Sequence, residues 1–184
     1  NSIALYIAIG LISLCVGSFL NVVIFRTPKM MEQEWKQECQ LLLHPEQPMI
    51  EHAKLTLSSP PSTCPNCHTA IRWYQNIPVV SWLVLRGRCG SCQHPISKRY
   101  PFVELLTCLC SLVVVAVFGA TWQMLCGVVL TWVLIALTFI DFDTQLLPDR
   151  FTLTLAGAGL AINSFGIYTS PTLSIWGAVI GFLC

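Results

Sequence analysis

Long uncharged apolar runs set the pattern of this chain. Ile3–Phe25 is 23 residues without a charge. At 1.5 Å per residue, such a helix crosses a hydrocarbon core of about 30 Å with some tilt. A cleaved signal peptide would need a basic leading segment and a shorter apolar core. Nothing basic precedes Ile3, so the run reads as an uncleaved span. Leu105–Ile140 is 36 residues without a charge, well beyond the roughly 20 that one span needs. The run predicts two helices back to back, turning near Gly119-Ala120-Thr121-Trp122-Gln123. Phe151–Tyr168 is a fourth candidate span, ended by Ser170-Pro171. Leu173–Cys184 starts a fifth with only 12 residues, about 18 Å of helix. That is too short to cross, so the pattern reads as a fragment of a longer protein that stops inside a span.

Polar residues are concentrated between the first two runs. The chain is 54% hydrophobic and 10% charged, against about a quarter charged in an ordinary soluble domain. Nine of the ten Lys and Arg, and five of the nine acids, lie between Arg26 and Arg99. Three parts follow: a first transmembrane helix (1–25), a polar insertion (26–99) and an apolar helical part (100–184). The fold class is an α-helical polytopic membrane protein. A net charge of +1 gives no case for nucleic acid as a partner; the lipid bilayer is the implied one. Arg26 and Lys29 follow the first run, and Lys98 and Arg99 precede the second, whereas the 119–123 turn has no Lys or Arg. The positive-inside rule therefore puts the insertion in the cytoplasm and the 119–123 and 169–172 turns outside. The segment after Ile140 returns to the cytoplasmic side.

The insertion carries CPNC (Cys64, Cys67) and CGSC (Cys89, Cys92). Two thiolates on one tight turn reach the same ion, and two such turns complete the tetrahedral shell of a zinc-ribbon-like site. Two disulfides are the alternative, disfavoured in a reducing compartment; redox CxxC chemistry and free thiols are weaker readings. With four cysteines filling the shell, His68 and His94 read as solvated loop residues. Cys15, Cys108, Cys110, Cys126 and Cys184 lie in apolar runs and read as packing. Cys39 has no assigned role.

Asp141, Asp143 and Asp149 follow the long apolar run. Asp141 is the first charge after it, and a carboxylate at such depth is costly unless paired or functional; on this ground Asp141 is expected to be buried. Residues two apart on a helix point about 200° from each other, so Asp141 and Asp143 should diverge rather than form a dyad. Glu104 is the only other acid outside the insertion.

Five motifs, with CPNC (64–67) and CGSC (89–92) counted as one pair, are similar to one family: GSFLNVVIFRTPKMM (17–31), that pair, NIPVVSWL (76–83) between its halves, KRYPFVELL (98–106) and IDFDTQLLPD (140–149). Together they span residues 17–149 of the chain, which resembles the bacterial type IV prepilin leader peptidases, bifunctional enzymes of the inner membrane. The resemblance implies an intramembrane-type aspartic protease. It would cut a prepilin or pseudopilin after a glycine in its leader and methylate the new N-terminus with S-adenosylmethionine. It maps the first catalytic aspartate onto Asp141. The second belongs to a Gly-x-Gly-Asp motif that this sequence lacks; Gly157 and Gly159 are not followed by an acid. The methyltransferase half would lie in the N-terminal part with the insertion. No Gly-x-Gly-x-x-Gly supports a Rossmann cofactor site. Gly17, Ser18, Asn21, Arg26 and Glu104 are weak candidates for the methyl donor, with helix packing and interfacial anchoring as the competing reading. Two other functions stay open: a methyltransferase or substrate-binding module without peptidase activity, and a proton-coupled transporter relaying through Asp141.

Overall fold

A computed structural model describes residues 2–43, 55–71 and 76–183. They form six helices: α1 (Ser2–Leu43), α2 (Val80–Val84), α3 (Arg99–Phe118), α4 (Trp122–Thr144), α5 (Asp149–Ser164) and α6 (Pro171–Leu183). Among them α1, α3 and α4 are long and apolar enough to cross a membrane.

The first helix passes the boundary expected at Arg26 and runs to Leu43. Pro28 removes one backbone donor, yet the helix continues. The Lys29 ammonium rests 3.7 Å from the centre of the Phe25 ring, and Glu32 and Lys36 pair at 2.7 Å one turn apart. The turn expected at 119–123 is present. Gly119 ends α3 at φ 59°, and the Thr121 hydroxyl accepts the Met124 N–H, capping α4. The span expected over Phe151–Tyr168 is shorter: α5 has 16 residues, about 24 Å, and closes at Ser164 because 165–169 turn back. Leu173 lies in α6, whose 13 residues are likewise too few for a span; Cys184 lies outside the described residues.

Helices α1, α3 and α4 pack together, with α3 running antiparallel to the other two. Leu20, Val23 and Ile24 of α1, Val103 of α3, and Ile135, Ala136 and Ile140 of α4 form one buried cluster. Close approach between α1 and α3 rests on Gly17: a Cβ there would lie 2.8 Å from the Glu104 Cα. Small residues at such crossings let backbones meet where lipid offers no hydrophobic drive. A buried polar row runs beside them. Thr107 donates to the Val103 carbonyl, Ser111 to the Thr107 carbonyl, and the Trp132 indole to the Ser111 hydroxyl at 2.9 Å. Outward, Phe19, Leu109, Val113 and Val117 are exposed, an apolar belt that suits acyl chains.

Candidate active site and metal centre

Two equivalent turns build the cluster of four cysteines. In the first, the Cys64 N–H donates to the Thr69 carbonyl, the His68 N–H to the Cys64 carbonyl, and Thr63 bridges Ala70. In the second, Cys89 donates to His94, Gln93 to Cys89, and Arg88 bridges Pro95. Both turns place a non-glycine residue in the left-handed region, His68 at φ 55° and Gln93 at φ 60°. Each position in the second turn lies 25 residues after its counterpart (63 to 88, 68 to 93). Such turns aim both thiols of a CxxC at one point. The four Sγ atoms all lie within 4.8 Å of one another, with Cys64–Cys92 at 3.7 Å and Cys67–Cys89 at 4.0 Å. A tetrahedral ion with Zn–S of about 2.3 Å requires sulfurs about 3.8 Å apart. The spacing fits one ion and is far from the roughly 2.05 Å of a disulfide; all four thiols are free. The Thr69 hydroxyl, 3.3 Å from the Cys67 sulfur, is the main cause holding that thiol down at about 6. Backbone N–H groups of Cys92 and Ser91 lower Cys89. His68 and His94 are exposed beside the cluster.

The three aspartates separate. Ile140 is fully buried in the core, and each helical step turns about 100°, so Asp141 faces away from it. Its side chain is exposed, against the expectation of burial. With Leu134, Leu137 and Thr138 it lines an open groove of about 540 Å³, whose far wall is Leu147, Thr152, Leu155 and Ala156. Asp143 turns the other way, as the helical geometry requires. Arg99 Nη1 donates to its Oδ1 at 2.8 Å, and Nη2 lies 2.7 Å from Oδ2, close but out of hydrogen-bond line. The same guanidinium stacks 5.1 Å from the Phe139 ring centre. The Gln145 N–H bonds back to the Asp141 carbonyl at 2.7 Å with Gln145 at φ 54°, ending α4. Asp149 opens α5 and is exposed. The Arg99–Asp143 link escaped the sequence reading. Its signal was a basic residue opening one span and an acid closing the next at the same end.

The residues suggested for the methyl donor gather, but around protein. Asn21 donates to the Gly17 and Tyr100 carbonyls at 3.3 and 3.1 Å. Arg26 donates to the Thr56 and Pro60 carbonyls at 2.8 and 2.6 Å. Glu104, buried, accepts the Val79 N–H at 2.7 Å. Ser18 reaches the Asn76 carbonyl at 3.5 Å, and Gly17 is filled by α3. Ser18 and Glu104 tie the segment around 76–79 to α1 and α3, Asn21 ties α1 to α3, and Arg26 holds the 56–60 stretch. With Asn21, Arg26 and Glu104 committed to protein partners and Gly17 closed off by α3, the group does not fit as the lining of a site for the donor.

Comparison with known proteins completes the description. Residues 11–118 match a family model described as the bacterial peptidase A24 N-terminal domain, and residues 128–184 one described as the type IV leader peptidase family. The chain is 49% identical over 173 residues to a prepilin leader peptidase/N-methyltransferase of Pseudomonas aeruginosa, covering 94% of this chain and 59% of that protein. It is 48% identical over 173 residues to one of Aeromonas hydrophila (94% and 60%) and 46% identical over 184 residues to one of Stutzerimonas stutzeri (100% and 63%). The chain thus spans about three-fifths of the length of the curated relatives it matches. No solved structure matches it.

Proposed function

We propose, from the premise that the chain belongs to the type IV leader peptidase family, that it serves a membrane enzyme that removes prepilin or pseudopilin leaders. The same enzyme N-methylates the trimmed product with S-adenosylmethionine. The three apolar helices lie in a bacterial inner membrane, with the cysteine insertion and the Asp141 end in the cytoplasm. Relatives bearing the printed name support the activity; the Lys and Arg at the Arg26 and Arg99 ends support the orientation.

Asp141 is the catalytic carboxylate, and one observation carries this. Of the two acids closing α4, Asp143 is engaged by Arg99, while Asp141 lines the groove and takes part in no ion pair among the described residues. An aspartic protease pairs two carboxylates that share a proton. One takes a proton from water as its oxygen attacks the scissile carbonyl, and the other protonates the departing amine. The family resemblance implies a partner carboxylate in a Gly-x-Gly-Asp motif, which this sequence does not contain. Cys64, Cys67, Cys89 and Cys92 hold one structural zinc ion, which closes the insertion and leaves no open coordination position for chemistry.

The test uses the full-length enzyme and a prepilin gel shift. Asp141→Asn should abolish leader removal while leaving metal content unchanged, and Asp143→Asn should reduce it less. Near-normal cleavage by Asp141→Asn would overturn the assignment. The 184-residue chain by itself should not cleave.

A further inference from the structure

The segment Asn76–Val84 belongs by sequence to the polar insertion, yet it packs far down the spans. Ser18, which meets Asn76, precedes Phe25 by seven residues, about 10 Å along the helix axis. A cavity of about 250 Å³ between this segment and α1 is lined by Cys15, Ser18, Phe19, Val22, Asn76 and Pro78, reaching deeper still. On the other side Val79 meets Glu104, five residues or about 7.5 Å beyond Arg99. The segment therefore lies below the level of the charged helix ends, beside the apolar belt of α1 and α3. Its own outward side chains are apolar: Ile77, Val80, Leu83 and Val84 are all exposed, Val84 at 75%. The exposed basic residues Arg86 and Arg88 follow immediately, and Lys98 is exposed just before α3.

Backbone chemistry points the same way. Irregular backbone survives at membrane depth only when its polar groups are met by protein. Pro78 has no N–H. Val79 sits at φ 56°, unusual for a β-branched residue, and its N–H, with no helical carbonyl to reach, is taken by the Glu104 carboxylate. Ser81, Leu83, Leu85 and Gly87 donate to Ile77, Val79, Ser81 and Trp82. Glu104 thus has a use that neither the peptidase groove nor the metal centre supplies.

We infer that residues 76–84 form a re-entrant wedge in the cytoplasmic leaflet. Ile77, Val80, Leu83 and Val84 contact the upper acyl chains, and Arg86, Arg88 and Lys98 meet anionic headgroups. Lipid is the chosen occupant because Phe19 of α1 and Phe102 and Leu105 of α3 are exposed at the same depth, and because a basic rim beside an apolar face is what an anionic interface attracts. Trp82 ties the wedge to the second cysteine turn: its indole reaches the Ile96 carbonyl at 3.4 Å, and its ring fills the space beside Gly87. The inference rests on reading α1 and α3 as spans.

The experiment places an environment-sensitive fluorescent amino acid at Val84, His68 or Val113 of the full-length protein, in vesicles of phosphatidylethanolamine and phosphatidylglycerol. Quenching is read with lipids carrying a nitroxide near the headgroup or at the chain end, and with aqueous iodide. Metal content checks that each variant is folded. Position 84 should be quenched by the shallow nitroxide at least about threefold more than position 68, and poorly by iodide. Iodide quenching at 84 equal to that at 68 overturns the wedge. So does protection of 84 from lipid and iodide alike, which would mean a protein partner or a second copy covers it. If position 113 is not quenched by the deep nitroxide, the span reading fails instead.

Discussion

Gly17 and Glu104 face each other where α1 crosses α3, and one added methyl group there meets backbone. Gly17→Val should separate α1 from α3 and lower stability by about 1–3 kcal/mol, seen as earlier thermal unfolding in detergent. A different sensitivity sits on Cys67. Its thiol titrates near 6 because the Thr69 hydroxyl stabilises the thiolate, so above that pH the reactive form predominates. In metal-free protein at pH 7, iodoacetamide should modify Cys67 first, and the preference should fade as pH falls below 6. Thr69→Ala should raise the titration and slow the reaction. Mass spectrometry of the alkylated peptides reads both effects. Equal rates at Cys67 and Cys92 would contradict the cause given.

At the scale of elements, the cysteine turns and the helical trio are built from different forces. The turns expose most of their residues, and Cys64 is their one buried hydrophobic position; their order comes from short backbone bonds and four converging thiols. The trio draws on buried side chains at Val103, Ile135 and Ile140. Removing the metal with a chelator should therefore unfold residues around 63–95 while the helices persist. Limited proteolysis should show new cuts between Cys67 and Cys89, and far-UV circular dichroism should change little. Loss of most helical signal would show that the insertion holds the bundle together. The same contrast explains why α1 overran its expected end: apolar content drops at Arg26, but the Glu32–Lys36 pair and the Arg26 contacts to Thr56 and Pro60 sustain the helix beyond it.

For the whole molecule, Arg99, Asp143, Glu34 and Arg150 gather at one end through the Arg99–Asp143 and Arg150–Glu34 pairs. Tyr168 meets Phe118 and Gln123 at the other. In intact cells, a cysteine at Asp149 should resist a membrane-impermeant reagent, and one at Ala120 should react; labelling at 149 would invert the topology. Much of this arrangement was legible in the sequence. Charge-free runs gave α1, α3, α4 and the 119–123 turn, because span length and Lys/Arg placement are strong physical constraints. CxxC spacing gave the convergence of the four thiols. The exposure of Asp141 was not legible, because it depends on how α5 leaves α4 after Gln145. Nor was the Arg99–Asp143 pair, which joins residues 44 apart, or the depth of 76–84, since a short apolar stretch reads alike in a loop and in a bilayer.

The two cysteine turns stand at opposite ends of residues 71–87, so an ion held between them is a clasp on the chain that carries the wedge. A thermodynamic coupling follows. If order in the clasp favours the wedge, then by reciprocity insertion must tighten the ion by the same factor. Metal affinity becomes a property of the bilayer as well as of the thiols. Loss of the ion would then loosen the wedge from the cytoplasmic leaflet while the three apolar helices stayed in place.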